Sequence, residues 1–279
     1  MAGKNLKKMT RNDDLIPEQE SEIKLSDTVF NEDGETKEYD LEAGYIDENN
    51  VTHKTFTLRE MNGKDEEAIS KNEIRANQSK VISVLLSRCC LSIGTLTKAE
   101  VGIKKWEQII QDLTVGDQDI MFLKLREISV GDEFEVVHKC PNCGTELRTF
   151  IKMDELETVP FSGERTIPFC LPKGYTDKKG NVHREGVMRL PLGKDREILT
   201  PLLNKNVAKA RTVMLTRLCK FNSGFPITDD VMSSLTYKDR NYLQELTQEL
   251  LFGIKSTVDV TCVNCGEEFE GNLNPQNFM

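Results

Sequence analysis

Residues 134–151 read FEVVHKCPNCGTELRTFI, and residues 256–273 read STVDVTCVNCGEEFEGNL. In each, a strand-like run enters a Cys-x-x-Cys-Gly turn and a second alternating run leaves it. In the leaving runs Leu147, Thr149 and Ile151 take the places of Phe269, Gly271 and Leu273, so the side-chain alternation matches. Two thiolates three positions apart on a tight loop can point at one metal ion, and Gly144 or Gly266 supplies a position free of a Cβ clash. One knuckle provides two ligands, whereas a closed structural zinc site wants four. Cys140, Cys143, Cys262 and Cys265 make four.

The rest of the composition narrows the setting. Charged residues are 30% and apolar residues 38% of 279, enough chain for two modest domains with buried cores. No apolar run is long enough for a membrane span, and MAGKNLKKMTRNDDLIPEQE lacks the apolar stretch of a signal peptide. Synthesis in a reducing cytoplasm is therefore expected, where eight cysteines stay reduced and paired CxxC units read as metal sites before disulfides. A net charge of −9 argues against nonspecific attraction to nucleic acid. Residues 1–40 read as a flexible acidic arm whose Leu15, Ile16, Leu25, Val29 and Phe30 could order against a partner.

The chain also repeats itself. Gly44-Tyr45 recurs as Gly174-Tyr175, His53 as His183, Gly63-Lys64-Asp65 as Gly193-Lys194-Asp195 and Gly94 as Gly224, all offset by 130. Beyond that the offset is 122, for Leu113-Thr114 with Leu235-Thr236, Asp117 with Asp239, Gly131 with Gly253, and both CxxC pairs. The change falls where the first copy carries KAEVGIKKWEQIIQD, expected as an inserted helix over 98–112, and the second has DDVMSS. The expected fold is α+β, with two tandem homologous units at 41–155 and 167–279 joined by a linker at 156–166. Each unit has a β-hairpin around its polar turn, helices from Asp65 or Asp195 onward, and a knuckle hairpin at its end. Thr114 and Thr236 open the later helices, with Asp117 and Asp239 placed to complement the amide end; Gly131 and Gly253 follow their C-termini.

The 118 residues between the CxxC pairs exceed the spacing of a single zinc ribbon. A duplicated fold removes that objection, because equivalent knuckles can meet at a pseudo-two-fold axis and share one ion. Two separate sites completed by other ligands or another subunit, and a reduced dithiol with a packing role, remain the alternatives. A thioredoxin-type role needs its CxxC at a helix start, whereas these lie between strands.

Other candidates read more plainly as structure. Cys89, Cys90 and Cys219 lie on apolar helical patterns as small hydrophobes. Cys170 has no partner in the repeat. His53 and His183 sit in polar hairpins and read as surface residues. His138 stands two residues before Cys140, where it could donate a hydrogen bond to a thiolate, although its counterpart is Val260. Gly63-Lys64-Asp65 and its repeat lack the remainder of a Walker loop and read as helix-entry turns. No nucleophile elbow, HExxH helix or catalytic triad is present, so nothing argues for an enzyme.

Leu125-Arg126, Ser129, Gly131 and the strand into Cys140-Pro141-Asn142-Cys143, together with the opening hairpin and TLREMNGKDEEAI, resemble the T4-like bacteriophage baseplate protein family. That family comprises hub components and hub-assembly proteins of contractile-tailed phages. One family unit corresponds to about residues 41–155; the second copy departs from it, with Gln248-Glu249 near the basic position and Val263 for the proline. Gly131, Cys140, Pro141 and Cys143 carry over directly, and Cys262 and Cys265 through the repeat. The resemblance implies a structural or assembly component of the virion tail baseplate, made in the host cytoplasm. Its partners would be other tail proteins, with no small-molecule substrate. The duplicated knuckles, independently of the resemblance, predict one shared structural zinc. A zinc-ribbon adaptor acting on nucleic acid or a transcription complex is the alternative, and a CxxC redox enzyme stands third.

Overall fold

The computed structural model describes residues 36–255 and 257–273. The fold is α+β, with short helices packed against several small antiparallel sheets. Of the arm expected over 1–40, residues 1–35 lie outside the described residues, and Thr36 already opens a strand.

The first half begins with a hairpin, Thr36–Ile46 against Thr52–Arg59, extended by Cys90–Ile93 and Leu96–Thr97 into a four-stranded sheet. The second half opens with Thr166–Thr176 against Val182–Arg189, strands of the same two lengths, extended by Cys219–Phe221. Register shifts fall at matching places, between Asp40 and Tyr45 and between Cys170 and Tyr175. Each break turns its amides inward to one buried carboxylate. Asp117 accepts from the amides of Glu42, Ala43 and Gly44 at 2.9, 3.1 and 3.0 Å, and from the Thr114 hydroxyl at 2.9 Å. Asp239 accepts from Lys173 and Gly174 at 2.8 and 3.4 Å, and from Thr236 at 2.6 Å. These aspartates thus do more than offset a helix dipole. They satisfy donors that the broken ladder leaves without strand partners, which a buried backbone requires.

Helix entries follow the sequence chemistry. Asn77 and Asn206 accept from the amides of Lys80 and Lys209 and cap Gln78–Cys89 and Val207–Leu218. Thr114 and Thr236 cap Val115–Ser129 and Tyr237–Leu250. At Gly63–Ile69 and Gly193–Leu203, Asp65 and Asp195 accept back from the amides of Asn62 and Leu192.

Those two aspartates are fully buried, and each meets two arginines. Asp65 takes Arg59 at 2.7 and 3.1 Å and Arg88 at 2.7 Å; Asp195 takes Arg189 at 2.7 and 3.1 Å and Arg217 at 2.7 Å. Each carboxylate ties the end of a hairpin strand to the last turn of a helix.

Several expectations need correction. The helix expected over 98–112 is two pieces, Lys98–Val101 and Ile103–Asp112, because Gly102 at φ +78° ends one and begins the other. Trp106, Ile109 and Ile110 still form its buried stripe. The apolar pattern around Cys89 switches at that residue: Cys90 and Cys219 begin strands, although all three thiols are buried. Burial pushes the Cys89 and Cys219 thiols up to about 12. Gly224 does not stand in the place of Gly94. Gly94 N donates to Thr55 O at 2.7 Å, and the same bond in the second half comes from Asn222, to Glu185 O at 3.0 Å. An extra residue, Leu91, between the pairs Leu58–Cys90 and Thr57–Ser92 accounts for part of that slip.

His53 is not a surface residue, and His183 is half-buried. His53 is buried beside Asp47, its Nε2 3.3 Å from that carboxylate, and the Gly94 backbone packs on its ring. His183 makes the same contact with Asp177 and places Nδ1 2.8 Å from Ser223 Oγ. Each histidine closes its hairpin turn from within.

The two halves share their interiors. Ala43 belongs to the core around Phe169, Met188 and Leu215, while Leu273 joins the core around Phe56, Leu85 and Trp106. Within the segment expected as a linker, Thr158–Val159 pairs with Gly253–Ile254.

Candidate metal centre

Glu133–Lys139 pairs with Glu146–Lys152 through seven residues, and Thr257–Thr261 pairs with Glu268–Asn272 through five. Between the strands of each hairpin lies a tight turn. Gly144 N donates to Cys140 O at 3.0 Å and Gly266 N to Cys262 O at 2.9 Å. The glycines sit at φ +74° and +73°, the left-handed region that spares them a Cβ clash. Cys140 N and Cys262 N donate back to Thr145 O and Glu267 O, at 2.9 and 2.8 Å. The two cysteines of each turn are thereby held on one side of their loop.

The structure brings the four predicted cysteines together. Their sulfurs all lie within 4.8 Å of one another. Cys140 Sγ is 3.7 Å from Cys265 Sγ, and Cys143 Sγ is 3.6 Å from Cys262 Sγ, so the first cysteine of each turn faces the second of the other. Four sulfurs about 2.3 Å from a central tetrahedral ion stand about 3.8 Å apart, which these separations match; a disulfide needs about 2.05 Å. Cys140 and Cys262 are buried, and Cys143 and Cys265 are exposed. Leu147 and Val260 close the apolar side behind the buried pair.

Each knuckle also reaches across to the other. Asn264 Nδ2 donates to Thr145 Oγ1 at 3.1 Å, and that oxygen lies 3.1 Å from Cys143 Sγ. Asn142 Nδ2 approaches Cys265 Sγ at 3.8 Å. Thr145, through its hydroxyl and its amide, and then Asn264, hold the Cys143 thiol down at about 5. The Glu267 amide favours a thiolate at Cys265, but burial and the sulfurs of Cys143, Cys262 and Cys140 outweigh it and push that thiol up to about 12. Four contiguous sulfurs cannot all carry charge without a cation among them. A soft or borderline divalent ion with tetrahedral preference fits this donor set.

His138 does not serve a thiolate. Its ring packs over Gly271 of the opposite hairpin and edge-on to Phe269, and its buried Nε2 has no hydrogen-bond partner among the described residues. Burial lowers its pKa. A Cβ on Gly271 would stand 2.4 Å from that ring. Gly271→Val is therefore expected to lower stability by about 1–3 kcal/mol through overpacking between the knuckles. Thermal unfolding with zinc present checks this, with exposed Val263→Ala as the near-neutral control.

Arg126 and Ser129 had only a resemblance to mark them, and the structure supplies their work. Arg126 donates to Gly131 O at 2.6 Å and Glu133 O at 3.0 Å, and lies over the Phe134 ring. Ser129 Oγ accepts from Met61 N at 2.9 Å. Together they fix the exit from Val115–Ser129 into the first knuckle hairpin. A cluster of charged and small polar groups at a helix end next to glycine is the signal that could have located them.

The sequence profile described as T4 bacteriophage base plate protein matches residues 43–191. The match runs past the first knuckle, through the segment at 156–166 and over the second opening hairpin, so it is longer than the single unit expected. It contains Cys140 and Cys143 but not Cys262 and Cys265. No curated protein and no solved structure matches the chain. The matched segment covers more than half of the 279 residues, and the chain belongs to the T4 bacteriophage base plate protein family.

Proposed function

We propose that this chain is a structural or assembly component of a contractile phage tail baseplate, at or near the hub, stabilised by one zinc ion and docked on neighbouring tail proteins. Membership of the baseplate family carries the reading. The four-sulfur cluster supports the zinc, with Cys140, Cys143, Cys262 and Cys265 as its ligands. Four protein ligands would leave no open position, which is the pattern of a structural site. The family also favours a role without catalysis, in the virion tail and among other tail proteins. No helix among the described residues is long and apolar enough to cross a membrane.

The tandem-repeat reading belongs here too. Paired hairpins of equal length, paired buried aspartates with their arginine pairs, and paired knuckles support it. In that reading the zinc joins equivalent ends of two homologous units.

A phage lacking this chain is expected to make no complete baseplates, and supply of the chain in trans should restore them. A cryo-EM map of the restored tail should then hold the chain close to the central axis. Normal baseplates and full infectivity without the chain would overturn the proposal. Deleting residues 1–35 should leave zinc binding unchanged and impair incorporation; wild-type incorporation of the truncated chain would remove the arm from the contact.

A further inference from the structure

Inside this chain the halves meet by a helix laid in a groove. Gly193–Leu203, from the second half, lies on a face of the first half made by Gln78–Cys89 and Val115–Ser129. Gly193 N donates to Leu113 O at 2.9 Å, and Asn77 Nδ2 donates to Glu197 O at 2.7 Å. Ser79 meets Thr200, and Arg196 donates to Gln118 Oε1 at 2.8 Å. Ser79 and Gln118 are buried beneath that helix.

The second half has a corresponding face that stands open. Asn206 caps its helix as Asn77 does, and Asp239 holds its register break as Asp117 does. Counting from these pairs, Ala208 stands for Ser79 and Arg240 for Gln118. Ala208 is exposed and Arg240 half-buried. An open cleft of about 680 Å³ lies there, and Leu203, Val207, Met214 and Tyr237 form its apolar part. Tyr237 is 76% exposed, Val207 68% and Leu203 51%, so three large apolar side chains face water together.

Charge says what chemistry fits this cleft. Arg211 and Arg240 both line it, and among the described residues no acidic side chain does. Their hydrogen bonds go to neutral oxygens, Arg211 to Asn241 Oδ1 and Arg240 to Thr212 Oγ1, both at 2.8 Å. The buried Nε of each has no partner, and among the described residues neither guanidinium meets a carboxylate. Burial, and after it the positive charge of Arg211, lowers the Arg240 pKa. Two adjacent, partly desolvated cations without a counter-charge favour an anionic partner. The apolar side chains beside them favour one that also buries hydrophobic surface.

We propose that this cleft is the docking groove for an acidic amphipathic helix of a neighbouring tail protein. The apolar face of that helix lies on Leu203, Val207, Met214 and Tyr237, and its carboxylates meet Arg211 and Arg240. A helix is the fitting shape because the corresponding face of the first half already takes one. An acidic one is required because paired guanidiniums bind carboxylates through charge-assisted hydrogen bonds. The correspondence of the two faces rests on the repeat reading, and the identity of the partner as a tail protein rests on the baseplate reading.

Photo-crosslinking tests this in the assembling phage. The full chain carrying Tyr237→p-benzoylphenylalanine is supplied during growth, and crosslinked peptides from tails and tail-assembly intermediates are identified by mass spectrometry. Absence of the chain from both fractions would overturn the baseplate reading and the proposed partner together. With the chain present, only the groove is in question. Position 237 should then crosslink to one segment of another tail protein, with at least two Asp or Glu residues and apolar residues at helical spacing. Arg240→Glu should cut that yield roughly tenfold or more, since it sets like charges together, and a basic residue at the segment's acidic position should restore it. If Arg240→Glu fails to fold by circular dichroism, Val207→Asp at an exposed helix start serves instead, by giving the arginines a carboxylate from within the chain. No crosslink, a segment without acidic residues, a yield indifferent to the charge change or not restored, or a crosslink to residues 1–35 or to a second copy of this chain would each overturn the proposal.

Discussion

Cys262→Ser is expected to remove the bound zinc and to part the two knuckles, with Cys140→Ser doing the same from the other side. Zinc binding to small structural sites is worth about 10–16 kcal/mol at neutral pH, and much of that free energy counts as folding free energy. Here the ion would sit between knuckle turns whose own apolar contact is small: Cys140, Leu147, Val260 and Cys262, flanked by Val258 and Phe269. So little apolar area cannot hold the turns together once the thiolates repel, while the far ends of the hairpins stay anchored in the main core through Phe134, Val136, Ile151 and Leu273. Metal analysis should find less than a tenth of wild-type zinc in each variant. Hydrogen exchange should quicken in 133–152 and 257–272 while the helical cores stay protected. Full zinc retention in both variants would favour separate or intermolecular sites.

Asp65→Asn and Asp195→Asn are each expected to cost about 3–5 kcal/mol, because each removes the charge of a buried carboxylate that two partly buried guanidiniums share. Denaturant unfolding would measure this, and a loss below about 1 kcal/mol would show that the arginines find other partners. The same carboxylates give a pH signature. Burial works to raise the Asp65 pKa, but the Arg59 hydrogen bonds, the Asn62 amide and Arg88 reverse that and bring it from 3.8 to about 2. Asp195 is lowered by the corresponding set, Arg189, Leu192 and Arg217, against burial. A folded-state pKa below the unfolded value means the contribution is complete above the unfolded pKa of about 3.9 and is lost as pH falls toward about 2. Thiolate protonation releases zinc at higher pH. The difference between wild type and Asp65→Asn between about pH 4 and 2 therefore isolates the aspartate, and that difference should shrink as pH drops.

Local chemistry made much of this legible in advance. CxxC-Gly between alternating runs specified two knuckle hairpins, and Thr and Asp at helix starts specified where several helices begin, while the caps Asn77 and Asn206 went unread. What escaped was set by partners distant in the chain. Asp117 reads as an N-terminal helix acid, yet it serves amides of Glu42, Ala43 and Gly44. Arg59 and Arg88 look like ordinary surface cations until the fold brings both to Asp65. The two histidines in polar hairpins looked exposed because their neighbours are polar, but Asp47 and Asp177 turn the rings inward. A single glycine, Gly102, divided a helix whose apolar spacing read as continuous. The position of His138 over Gly271 needed the second hairpin to be in place.

The shared metal ion is the claim on which the joined knuckles depend, and zinc-edge X-ray absorption on the purified chain tests it most directly. One zinc per chain with four sulfur neighbours at about 2.3 Å is the expected spectrum. A first shell containing nitrogen or oxygen, or a stoichiometry of two zinc ions per chain, would contradict a single site built from Cys140, Cys143, Cys262 and Cys265.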